Sequence, residues 1–193
     1  MVGTGKMRLD EANEALLRGD FVMARDLFEI LAATGSRAAL LGLAAIYERG
    51  NADIPQDYAK SRYWYERALA EARSSVAALK LGHFYYHGFG VTSDFSKAFK
   101  YYSQLKNSNN PIALLRLGWL YETGRGVPQN LSKARELYHR GAKLGNIQAR
   151  KNLGFFEMKH GNILLGVLLW MWTIIQGVPL AFINTDDKRL RTY

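Results

Sequence analysis

A chain of 193 residues has room for one domain, or at most two. It is 48% hydrophobic and 22% charged, the composition of a folded globular protein, and its lack of cysteine excludes thiol catalysis, a disulfide framework, cysteine-ligated zinc and iron–sulfur clusters. The 26 basic residues against 17 acidic ones give a net charge of +9, which favours an acidic partner, an anionic membrane or a nucleic acid without choosing among them.

The opening stretch, MVGTGKMRLDEANEALLRGDF, is charged throughout and has no apolar core region, so it does not read as a secretory signal. From Asp20 the chain begins to repeat itself. DFVMARDLFEILAATG (20–35) is a half-copy with Ala24 and Phe28 in register. LLGLAAIYERGNADIPQDYAKSRYWYERAL (40–69) is a looser copy with Tyr47, Gly50, Asp57, Lys60 and Tyr65 in matching roles and one residue inserted in its loop. AALKLGHFYYHGFGVTSDFSKAFKYYSQ (77–104) and ALLRLGWLYETGRGVPQNLSKARELYHR (113–140) match at a constant offset of 36. That offset pairs Leu81 with Leu117, Gly82 with Gly118, Gly88 with Gly124, Gly90 with Gly126, Lys97 with Lys133, and Tyr102 with Tyr138. A last half-copy begins at Ile147 and carries the Leu-Gly pair at Leu153 and Gly154.

Each copy predicts a helix, a loop and a second helix. Apolar residues recur at helical spacing in the first segment, with Gly82 small enough for another helix to come close. The GxG sequence breaks the helix, because glycine takes positive φ at a C-cap. Asp94, or Asn130 in the next copy, stands where an N-cap is needed. Such a unit cannot bury its apolar face alone, and stacking several makes one continuous core.

Residues 163–183, ILLGVLLWMWTIIQGVPLAFI, contain no Asp, Glu, Lys or Arg. At 1.5 Å per residue a helix of this length can cross a hydrocarbon core of about 30 Å. The run therefore predicts a transmembrane or membrane-embedded helix, with Leu164, Leu165, Val167, Leu168, Leu169, Trp170, Trp172, Ile174 and Ile175 facing lipid. Trp170 and Trp172 sit mid-run rather than at its ends, and Pro179 would kink or stop the helix. Residues 131–160 hold seven basic and two acidic side chains, a balance that suits anionic headgroups. The alternative is a buried helix that closes the core, as a degraded second helix of a final repeat with Gly166 at the small-residue position.

The repeated pattern resembles the Sel-1-like repeat, a relative of the tetratricopeptide repeat, with the likeness running over about residues 20–160. The resemblance implies an all-α, right-handed α/α superhelix of helix–loop–helix repeats, here followed by a hydrophobic C-terminal helix. It divides the chain into a solenoid at 1–160, with repeats near 37–72, 75–108 and 111–145 and half-repeats at 6–35 and 147–160. The hydrophobic helix then takes 161–183, and a polar tail takes 184–193. By analogy with tetratricopeptide-like arrays, the first helix of each pair lines the concave face. The partner-binding candidates are then His83, Tyr86, His87, Trp119, Glu122 and Phe155, with Trp119 the strongest single choice. Glu48 and Glu122, beside Lys80 and Arg116, read as solvated charges.

No catalytic residue, cofactor site or metal site is expected. His83 and His87 share a helix face but have no third ligand in the motif. GFG (88–90) and GRG (124–126) follow helices, not strands, and recur with the repeat, so they are loop glycines and not phosphate loops. GxSxG does not occur. The resulting expectation is a non-catalytic scaffold or adaptor for one or more protein partners, membrane-anchored, with its repeats on the cytoplasmic side. One alternative is a soluble repeat regulator capped by its last helix. A second is a nucleic-acid binder stacking bases on tyrosines, which is less favoured because Tyr47, Tyr65, Tyr85, Tyr102, Tyr121 and Tyr138 recur at structural positions of the repeat.

Overall fold

The computed structural model describes residues 2–177, and the side chains of residues 8–175. Among the described residues there are ten α-helices and no strand: α1 (Val2–Arg18), α2 (Phe21–Ala32), α3 (Arg37–Arg49), α4 (Tyr58–Ala72), α5 (Ser75–His87), α6 (Phe95–Ser103), α7 (Pro111–Thr123), α8 (Leu131–Lys143), α9 (Ile147–His160) and α10 (Ile163–Gly177). They pack as consecutive pairs, from α1 with α2 to α9 with α10, and each pair stacks on the next. The result is the expected all-α solenoid. Its core runs along the array through fully buried Phe28, Leu40, Leu43, Leu81, Leu117, Tyr102 and Tyr138.

The repeat signature has a local cause at each step. Asp57, Asp94 and Asn130 cap α4, α6 and α8, each side chain accepting a hydrogen bond at 2.9 Å from the backbone N–H of Lys60, Lys97 and Lys133 respectively. Those lysines then lay their ammonium groups over the rings of Tyr47, Tyr85 and Tyr121, at 5.1, 5.0 and 5.2 Å from the centroids. Each such contact contributes about 0.5–1 kcal/mol.

The two glycines of GxG do different jobs. Gly124 ends α7 in the left-handed region at φ +69. Gly126, at φ +71, lets the loop touch the preceding repeat, since a Cβ there would fall 2.3 Å from the carbonyl carbon of Phe95 at the start of α6. In the first helix of each pair, Gly82 and Gly118 make room for a ring: added Cβ atoms would meet Tyr102 at 2.6 Å and Tyr138 at 2.7 Å. The looser first copy absorbs its inserted residue inside the loop. There the Asn51 side chain accepts from the N–H groups of Asp53 and Ile54, and Ile54 is buried.

The hydrophobic run departs from the membrane-spanning expectation. Its described part, α10, has 15 residues, about 22 Å of helix, which is short of a hydrocarbon core. Among the described residues no helix is long and apolar enough to cross a membrane. Instead α10 packs along α9 as the second helix of a fifth pair. A Cβ on Gly166 would lie 2.6 Å from the carbonyl oxygen of Gly154, so the backbones cross where both residues are glycine. Leu169 joins the core of Leu115, Tyr138, Leu153 and Phe156, and buried Thr173 donates its hydroxyl proton to the Trp170 carbonyl. The Arg150 guanidinium lies 4.0 Å from the centre of the Trp172 ring, a polar contact on a side chain assigned above to lipid. Apart from Leu169 and Trp172, the remaining seven assigned residues, from Leu164 at 70% to Val167 at 36%, are exposed. Residues 178–183 of the run, with Pro179, and the tail at 184–193 lie outside the described residues.

A candidate partner-binding groove

The first helices of the pairs present one recurring arrangement, built from three positions. A tyrosine on the second helix is held behind the small residue of the first, as at Gly82 and Gly118. Four residues after that small residue, the first helix carries an acid that accepts from the tyrosine hydroxyl. In the first full repeat Tyr65 donates to Glu48 at 2.6 Å, and Lys80 from the next repeat pairs with the same carboxylate at 2.7 Å. In the third, Tyr138 donates to Glu122 at 2.8 Å, Asn152 hydrogen-bonds the same tyrosine, and the His160 ring nitrogen lies 3.8 Å from the second Glu122 oxygen. Burial, reinforced by these acids, raises both tyrosines above the ordinary phenol range.

The middle repeat breaks the pattern. Tyr86 occupies the position of Glu48 and Glu122, and Arg116 the position of Lys80. The Tyr102 hydroxyl and the Arg116 Nε are buried with no hydrogen-bond partner. The Tyr86 ring lies against Tyr102 at 6.4 Å and beneath the Arg116 guanidinium at 4.7 Å. Around them gather Trp119, 5.1 Å from Tyr86 and 5.6 Å from Phe95, and Arg125, whose guanidinium stands 5.3 Å from both Phe95 and Trp119. His83, His87 and the exposed Phe89 form a second ring cluster, with the imidazoles 4.4 Å apart.

The structure thus brings His83, Tyr86, His87 and Trp119 of the candidate residues together around Arg116. Trp119 is half-buried against the preceding repeat and not free-standing. Glu122 is occupied by Tyr138, and Phe155, one repeat further on, is 54% exposed. Two of the charges read as solvated are not: Glu48 is bonded by Lys80, and Arg116 is stacked and half-buried. The sequence pattern placed Arg116 among solvated charges and Tyr102 among the repeat's structural tyrosines, and neither among the partner-binding residues. The available signal was the exchange of Glu for Tyr at position 86 inside a register kept on both sides. Tyr47, Tyr65, Tyr85, Tyr102 and Tyr138 are core residues, which removes their rings from any base-stacking surface.

A cleft of about 560 Å³ lies elsewhere, between α8, α9 and α10. Its buried acid, Glu157, is held by Arg135 in a two-pronged pair. Its buried acid is thus already paired, whereas the groove holds a buried hydroxyl and a guanidinium Nε without a hydrogen-bond partner, so the groove is the better candidate.

Burial lowers the His83 pKa to about 4, with the charges of His87, Arg116 and Lys80 pushing the same way. His83 is therefore neutral in the folded protein near neutrality. Between the unfolded value of 6.5 and about 4, the unfolded chain binds a proton there that the folded chain refuses. Stability is expected to fall as pH drops through that window and to be indifferent to His83 above it. Melting curves taken downward from neutrality should show a shallower acid loss in His83→Gln; parallel curves would refute this.

Comparison with known proteins agrees with this geometry. The Sel1 repeat profile matches residues 37–71, 75–110 and 111–146. The chain belongs to the Sel1 repeat family. Among solved structures, a protective antigen present in uropathogenic Escherichia coli strains, which displays the same fold, aligns with a TM-score of 0.80 and 27% identity. That alignment covers 88% of this chain but only 38% of the antigen. A Sel1 repeat protein from Oxalobacter formigenes aligns with a TM-score of 0.74 and 26% identity, over 88% of this chain and 70% of the other. No curated protein matches the chain by sequence. Sel1 repeat proteins serve typically as protein–protein interaction scaffolds.

Proposed function

We propose that this Sel1 repeat protein is a non-catalytic adaptor that holds a protein partner in the groove of its middle repeats. The observation that carries the reading is the half-exposed cluster of Tyr86, Trp119 and Phe95 with Arg116 and Arg125 laid on it. Aromatic rings and arginine are the side chains that most often anchor protein interfaces. Trp119→Ala should weaken capture of crosslinked partners about tenfold or more while leaving the helical signal intact. Unchanged capture would take the groove out of the binding surface.

A second reading concerns the apolar outer side of α10. Leu164, Leu168, Met171 and Ile175 are half or more exposed. A contiguous apolar patch of this kind marks an interaction or membrane surface. The adaptor is thereby held to a membrane, its repeats on the cytoplasmic side, with Lys151 and Lys159 of α9 favouring anionic headgroups. The full chain should float with phosphatidylserine vesicles, and a Leu168→Asp/Ile175→Asp variant should remain behind. Equal flotation would remove α10 from the contact, and no flotation of either would leave α10 as a cap.

A further inference from the structure

Of the three full repeats, the middle one alone lacks its acid. In the repeats on both sides, a carboxylate sits between a buried tyrosine hydroxyl and a donor on the next first helix: Glu48 between Tyr65 and Lys80, and Glu122 between Tyr138 and the Asn152 and His160 side. In the middle repeat both donors are kept. Tyr102 still points its hydroxyl from behind Gly82, and Arg116 still reaches across from α7. Only the acceptor has changed, to the neutral Tyr86, whose hydroxyl takes a hydrogen bond from Arg116 but leaves the Arg116 Nε and the Tyr102 hydroxyl without a partner. A buried donor without an acceptor is destabilising, and a charged one more so. A guanidinium is also the donor best shaped to receive a carboxylate.

We infer that the missing carboxylate comes from the partner: one Asp or Glu side chain of a bound peptide segment pairs with Arg116 in the middle repeat and takes the place held by Glu48 and Glu122 in its neighbours. The inference rests on the adaptor reading and specifies its ligand. A single acidic side chain fits better than a phosphate backbone, because Glu48 on α3 and Glu122 on α7 flank the Tyr86 position on α5 and would repel a continuous polyanion. Trp119, Phe95 and the exposed Phe89 supply an apolar shelf for residues beside the acid.

The test is selection from a random peptide library displayed with amidated C-termini, using the full chain, Arg116→Gln, Tyr86→Glu and Trp119→Ala. The wild-type chain is expected to select peptides with Asp or Glu at one fixed position. Amidating that side chain, to Asn or Gln, should weaken a selected peptide about ten- to hundredfold, the worth of a charge-assisted hydrogen bond. Arg116→Gln should weaken the acidic peptide to the same extent and the amidated one not at all. Tyr86→Glu supplies the carboxylate internally, so it should abolish the acid preference while melting no lower than wild type.

Selected peptides that lose affinity with Trp119→Ala but bind equally well when their acid is amidated would overturn the inference and leave the adaptor reading standing. So would a preference confined to free C-termini in a parallel unamidated library, or an acid preference that survives Tyr86→Glu. No selection at all by the wild-type chain would overturn both readings.

Discussion

Gly118→Leu should lower the melting temperature of the chain by about 6–12 °C. A Cβ at this position already lies 2.7 Å from the Tyr138 ring, and leucine adds three further carbons. Tyr138 has no room to retreat: it is fully buried, its hydroxyl is tied to Glu122, and its far side packs against Phe156. Overpacking of this kind costs up to about 3 kcal/mol, and each kcal/mol moves the midpoint by roughly 2–4 °C in a chain of this size. The double variant Gly118→Leu/Tyr138→Leu should recover part of the loss, because the second change removes the ring that the first collides with. Thermal melts followed by circular dichroism decide it. A wild-type midpoint for the single variant, or no recovery in the double, would mean that the two residues do not face each other.

The second large effect concerns the loop glycines, which the same substitution separates. Gly124 and Gly126 have almost the same φ, +69 and +71, so asparagine at either position meets the same backbone preference. Around them the space differs. A Cβ on Gly124 would lie 3.3 Å from the Gln129 Cβ, whereas one on Gly126 would strike the Phe95 backbone at 2.3 Å. Gly124→Asn is expected to cost about 1 kcal/mol or less, since asparagine tolerates the left-handed region. Gly126→Asn should cost roughly 3 kcal/mol and loosen the joint between the second and third full repeats. Hydrogen exchange at the start of α6 should then rise for the second variant alone. Equal costs would show that backbone conformation, not the contact with α6, selects both glycines.

The fold was legible because the pattern states the same physics more than once. A cap residue, a helix-ending glycine and a lysine three positions after the cap recur in register, and in the structure each makes the same contact every time: Asp57, Asp94 and Asn130 to the next turn's N–H, and Lys60, Lys97 and Lys133 to a tyrosine face. What periodicity cannot convey is what a small residue makes room for. Gly118 faces a ring of its own pair, Gly126 faces the previous pair, and Gly166 faces another backbone, yet all three are the same letter. Hydrophobicity alone likewise led the last helix toward the bilayer, because an apolar count does not register that Gly154 and Gly166 let α9 and α10 close on each other. In the groove the helix face was readable and its electrostatics were not. Whether Arg116 is solvated or half-buried depends on Tyr86 and Tyr102, which come from two other helices.

The loop that absorbs an extra residue in the first full repeat has a consequence for how such arrays change length. Asn51 folds the insertion back on itself and Ile54 plugs it, while Asp57 still caps α4 and Tyr65 still reaches Glu48. The edge of the ribbon can therefore drift in sequence and size without disturbing the spacing of the helices that line the groove. In the first full repeat, loop length is thus uncoupled from helix spacing.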